Sequence, residues 1–145
     1  MVKVGTRRSG RILAIQTLYR YDCTEEELER LLDFSWCGEA QSSKNELSSM
    51  DFARLLIIGT IENLKIIDET ISVQLEHWDF SRLARVDLAI LRISVYCLLF
   101  QESIPLTVTI DEAIDIAKEF GSDDSYRFIN GVLDGVRKKR ATMTC

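Results

Sequence analysis

LARVDLAILRISVYCLLF, residues 83–100, decides the fold. At 100° per residue Val86, Ile90, Ile93, Cys97 and Phe100 fall on one side of a helix, and Leu88, Leu91, Val95, Leu98 and Leu99 fill most of the rest. A helix apolar on nearly every side has to be wrapped by other helices. Its polar residues keep to two narrow edges, Arg85 with Arg92 and Asp87 with Ser94 and Gln101, where it meets solvent or a partner. Two arginines and an aspartate in so short a run argue against a membrane span, because each is expensive at bilayer depth. The stretch reads as the central helix of an all-α protein.

The whole chain has 145 residues, the usual size of one domain, with 46% hydrophobic and 28% charged residues and a single proline. One domain is expected over 1–145, with an N-terminal helical half to about 78 and a C-terminal half over about 79–140. Four cysteines (Cys23, Cys37, Cys97, Cys145) form no C-x-x-C pair and one lies in the most apolar helix, so neither zinc nor a disulfide framework is indicated. A reducing, cytoplasmic setting is expected, with no export signal and no membrane partner. The net charge of −5 is unevenly placed: residues 1–21 carry Lys3, Arg7, Arg8, Arg11 and Arg20 and no acid, leaving −10 for the remainder. A local basic segment on an acidic chain points to an anionic partner, or else to a solubilising terminus.

The first helix is predicted from about Arg8 to Tyr21, with Ile12, Ile15, Leu18 and Tyr19 inward. Arg7, Arg8 and Arg11 crowd its N-terminal turn, where each cation opposes the macrodipole by about 0.3–1 kcal/mol. Thr24 with Glu27 has the spacing of a capping box for a short second helix, and residues 37–50 read as a polar surface connection. Ser48 and Asp51 are expected to cap one long helix to about Leu75, closed by His77 and Trp78. His77 is the sole histidine, with no neighbouring sequence to make it a ligand or a triad member, so packing or a turn is its expected role. Beyond Pro105, Thr109 and Glu112 suggest a second capping box, and Gly121 a left-handed helix end. Asp111, Glu112, Asp115 and Glu119 read as a solvated acidic face rather than catalytic carboxylates.

The last helix, to about Lys139, buries Ile129, Val132, Leu133 and Val136 and leaves Phe128 beside Gly131 and Gly135. Two glycines inside a helix cost about 1 kcal/mol each against alanine, so something approaches the backbone there. Either another helix does so, or a ligand that stacks on Phe128 while Arg127 meets its charge. No Gly-rich phosphate loop, strand or repeat appears, and six or seven helices make the fold.

RRSGRILAIQTLY, RVDLAILRISVY and above all TIDEAIDIAKEFGSDDSYRFINGVLD resemble the NusB family of bacterial transcription antitermination factors. The resemblance covers most of the chain, with residues 33–50 outside it. It implies a non-enzymatic all-helical protein of two small subdomains, without cofactor or metal. It also implies binding to single-stranded boxA RNA together with NusE, a small-subunit ribosomal protein, within the RNA polymerase antitermination complex, notably on ribosomal RNA operons. By the same resemblance RNA meets Arg7, Arg8 and Arg11 and the later set Asp124, Arg127 and Phe128, while NusE faces Tyr19 and Asp87. Gly10 replaces the family's usual alanine, which implies a later helix start and a looser arginine arm. Self-association as a homodimer through the RNA surface stays open. Two alternatives are an accessory module of a ribosomal RNA methyltransferase system, although the chain has no Gly-rich dinucleotide-like segment, and a protein-only adaptor.

Overall fold

The computed structural model describes residues 6–37 and 44–143. Within them the chain forms α1 (Thr6–Cys23), α2 (Leu28–Leu32), α3 (Lys44–Glu62), α4 (Leu64–Val73), α5 (Arg85–Phe100), α6 (Leu106–Phe120) and α7 (Ser125–Met143), with 3-10 turns at Ser35–Cys37 and Phe80–Arg82 and no strand among the described residues. From Leu88 to Leu98 every residue of α5 but Arg92 is buried, because α1, α3, α4, α6 and α7 all pack on it. Ile90, Leu91 and Leu98 are wholly buried, and each contributes about 1.5–3 kcal/mol by leaving water. No helix among the described residues is long and apolar enough to cross a membrane.

The arginine edge of α5 serves packing. Arg92 donates from Nε and Nη2 to the two carboxylate oxygens of Asp68, both at 2.9 Å, tying α5 to α4. Arg85 Nη1 donates to Asp22 at 2.7 Å, joining the start of α5 to the end of α1. That hydrogen bond raises the Arg85 pKa further. The opposite edge is divided, with Ser94 buried and Asp87 only half-buried.

Several local expectations give way to tertiary contacts. The long helix breaks at Asn63, whose side chain Nδ2 donates to the Gly59 carbonyl at 2.8 Å, and α4 sets off as a separate element. Because α3 begins at Lys44, Ser48 and Asp51 lie inside it rather than capping it. The connection expected over 37–50 is thus helical from Lys44, and its residues 38–43 lie outside the described residues, as does Lys3. Thr24 donates back to the Arg20 carbonyl at 2.8 Å and accepts the Glu26 N–H at 3.3 Å, so it closes α1 and turns the chain, while the N-cap position of α2 falls to Glu27. Helix α6 starts at Leu106 behind Pro105, which places Thr109 buried in its interior and leaves Glu112 free to pair elsewhere. Gly121 is extended at φ −89°, ψ −175°, not left-handed. A side chain there would strike Ser125, whose Oγ accepts the Ser122 N–H at 2.9 Å, so close approach accounts for the glycine.

Candidate nucleic-acid interface

The first turn of α7 faces the start of α5 and the segment ahead of it. Asp79 accepts the Ser81 N–H at 3.1 Å and so caps the Phe80–Arg82 turn. That turn sends Phe80 partly inward under the Arg92 guanidinium, 5.9 Å away, while Arg82 and Trp78 remain exposed. Trp78 meets Phe128 edge-on, with ring centroids 6.2 Å apart and planes at 66°. Between these walls lies a hollow of about 340 Å³ lined by Trp78, Arg82, Asp87, Asp124, Ser125 and Phe128 among others. Asp87 stands in the first turn of α5, where the macrodipole favours a carboxylate. Its Oδ1 is buried and has no hydrogen-bond partner. Arg127 is exposed beside the hollow, and its Nε donates to the Tyr126 hydroxyl at 2.9 Å, which raises its pKa.

The arginine arm is built differently. Helix α1 begins at Thr6, so Gly10 neither delays the helix nor loosens the arm. Instead Gly10 admits α3, since a side chain at 10 would press on the Phe52 ring and the Ser49 carbonyl. The Phe52 ring lies under two guanidinium groups, Arg7 at 4.9 Å and Arg11 at 5.5 Å. Arg11 is 5% exposed, with its Nε unpartnered, whereas Arg7 is exposed. Arg8 reaches α6, donating from Nε to Glu112 at 2.7 Å and from Nη2 to Asp115 at 2.8 Å. These bonds lift its pKa still higher, Glu112 contributing most. The α6 carboxylates expected to be merely solvated are therefore partly committed to this ion-pair cluster.

Of the residues singled out in the sequence, the hollow gathers Asp87, Asp124 and Phe128, with Arg127 next to it. It does not gather the arm. Arg11 acts electrostatically on Cys97, toward the far end of α5, and ten residues of helix separate Cys97 from Asp87, about 15 Å. Tyr19, expected inward, is 41% exposed and lies close enough to Arg85 to influence its charge. The glycines of α7 divide. A side chain at Gly135 would run into Gln74, whereas one at Gly131 would meet nothing, so no backbone approach explains Gly131. His77 is exposed, and no group of three potential metal ligands occurs among the described residues. Two lining residues were not among the expected site residues: Trp78, expected only to close the long helix, which in fact ends at Val73, and Arg82. Their signal was a large ring and a cation in a polar connection, where neither has a helix face to cover.

The NusB family model matches residues 8–138, a span that includes the hollow and, of the arm, Arg8 and Arg11. The chain belongs to the NusB family. It is 49% identical over 136 residues to the transcription antitermination protein NusB of Treponema pallidum, covering 94% of each chain. Its fold is similar to that of T. maritima NusB at TM-score 0.77 and 38% identity, over 94% of this chain and 93% of that one. It is also similar to a chain in a crystal structure of the antitermination factors NusB and NusE in complex with dsRNA, at TM-score 0.80 and 24% identity, over 92% and 97% of the two chains. That last likeness concerns the fold alone.

Proposed function

We propose that this NusB-family chain is a cytoplasmic transcription antitermination factor that acts by binding rather than catalysis. It takes up single-stranded boxA RNA together with NusE and enters the RNA polymerase antitermination complex on ribosomal RNA operons. The observation that carries the reading is the half-buried Phe128 ring in an open hollow beside Asp124, with Arg127 exposed next to it. An accessible ring at a helix start suits an unstacked base, which duplex RNA does not offer. Arg11 acts on Cys97, ten residues along α5 from Asp87 of the hollow, and Arg7 and Arg8 share its helix. These arginines would fix the phosphates of the same strand while the ring takes a base. Tyr19 and Asp87, near the end of α1 and the start of α5, would face NusE.

The test is a titration of labelled boxA RNA at two salt concentrations, with and without NusE. With three or four phosphates neutralised, log affinity is expected to fall with log salt at a slope of about −2 to −3. NusE should strengthen binding, since the chain as a whole is acidic. The substitutions Arg7→Ala with Arg8→Ala should weaken RNA binding, Asp87→Arg should weaken NusE capture, and Tyr19→Ala, outside the hollow, should weaken NusE capture without weakening RNA binding by the chain alone. RNA binding insensitive to salt, to the arginine pair and to Phe128→Ala would overturn the reading.

A further inference from the structure

Trp78 is 61% exposed, an unusual setting for a ring of that size, and its packing there is an edge against Phe128. Arg82, on the same wall of the hollow, is exposed and makes no ion pair among the described residues. Arg8, Arg20, Arg54, Arg85 and Arg92 all pair with carboxylates inside the protein. Two acids, Asp87 and Asp124, line the same hollow as Arg82, yet neither is paired with it. Ring and cation are thus both left open at one place.

From this we infer that Trp78 and Arg82 form the second half of the RNA site, Trp78 stacking the base next to the one on Phe128 and Arg82 holding the phosphate between them. The inference rests on the RNA reading above and names residues that reading did not include. Geometry sets the arrangement. With the two ring planes at 66°, one flat base cannot lie face-on to both, so each ring takes its own base and the strand turns sharply between them. Charge sets the polarity: the half-buried Asp87 and the exposed Asp124, both lining the hollow, repel phosphate from it, so bases enter and the backbone stays outside at the exposed Arg82. A regular duplex cannot splay two neighbouring bases in this way, which gives the site a preference for unpaired strands. An exposed tryptophan can also anchor a protein partner. The second ring and the unpaired cation beside it favour RNA.

The experiment uses the full chain and labelled single-stranded boxA RNA, with NusE capture measured in parallel. Trp78→Ala should weaken RNA binding about 5- to 100-fold, the range expected for loss of one stacked base. Trp78→Phe should keep most of the affinity, and in the unsubstituted chain RNA should quench an indole emission that Trp78→Phe removes. Arg82→Ala should weaken binding and reduce the salt slope by about 1, the mark of one lost phosphate contact. Arg82→Ala should leave the melting temperature unmoved, and Trp78→Ala should lower it only slightly, by loss of the edge contact with Phe128. If Trp78→Ala leaves RNA affinity unchanged while Phe128→Ala weakens it, the inference fails and the RNA reading stands. If both leave it unchanged, the RNA reading fails and the inference with it. Loss of NusE capture alone would make Trp78 a protein anchor and overturn the proposal.

Discussion

At the N-terminal end of α1 each described arginine already has a partner within the protein: Arg8 holds Glu112 and Asp115, and Arg7 and Arg11 share the Phe52 ring. In the hollow between α5 and α7 the reverse holds, with Trp78 facing solvent, Arg82 without a counter-ion and an oxygen of Asp87 without a donor. Both regions are candidate RNA surfaces, yet they stand in different relations to the fold. The arm already joins α1 to α6 and α3, and an incoming phosphate has to compete with two carboxylates for Arg8. The hollow asks for little rearrangement, since its groups are open in the free protein. Ring and arm should therefore contribute unequally to affinity.

The sharpest way to break this contrast is to remove one group from each side. Phe128→Ala is expected to weaken boxA RNA binding about 5- to 100-fold, as loss of one stacked base should. Arg8→Ala should weaken it only about 2- to 5-fold, since a surface cation that must first leave an ion pair gives back little. The same change should lower unfolding stability by about 1 kcal/mol in a denaturant melt, a small figure because Arg8 and Asp115 are well exposed to water. A larger loss of RNA affinity for Arg8→Ala than for Phe128→Ala would reverse the comparison.

Relieving the competition should act in the opposite direction. Glu112→Gln removes the strongest hold on Arg8, and RNA affinity is expected to rise about two- to threefold in low salt while the melting temperature falls. Unchanged affinity would mean that Arg8 is not restrained by α6. Within α7, Gly131→Ala should stabilise the fold by about 0.5–1 kcal/mol, because an added methyl there meets open space and an exposed helix interior favours alanine. If RNA affinity falls with that change, the bare backbone at 131 belongs to the binding surface.

The smallest effect concerns the buried end of the arm. Burial pushes the Cys97 thiol up to about 11, with nearby Arg11 pulling slightly the other way. The folded state thus resists thiolate formation. The stability this represents is complete below the ordinary value of 9.0 and is lost as pH rises from there toward 11. Exposed Cys23 should be alkylated rapidly at pH 8, and Cys97 only when the chain unfolds. Fast labelling of Cys97 in the folded protein would show that the α1–α5 packing beneath Arg11 opens.

The fold was legible because its strongest signal is redundant. The 83–100 stretch is apolar around most of its circumference, and no arrangement but a surrounded helix satisfies it. Capping residues misled, since Thr24, Thr109 and Ser48 have the right neighbours for boxes but the chain had other means of starting each helix, including Pro105. Phe128 could be picked out because it sits off a clear buried stripe. That Asp87 would line the same hollow could not, because it depends on how α5 meets α7 across the 40 residues between Asp87 and Phe128. Periodicity also says nothing about Arg8, whose partners are more than one hundred positions away. Trp78 escaped because a ring in a connecting segment has no period to violate.

Gln74, just past α4, reaches into the space that Gly135 leaves vacant on α7. Position 135 and position 74 are thus a matched pair between α7 and the end of α4, and neither is free to drift alone. A descendant of this sequence that gained a methyl group at 135 would have to move or shorten the glutamine at 74. Paired replacement at these two sites is the evolutionary trace such a contact leaves.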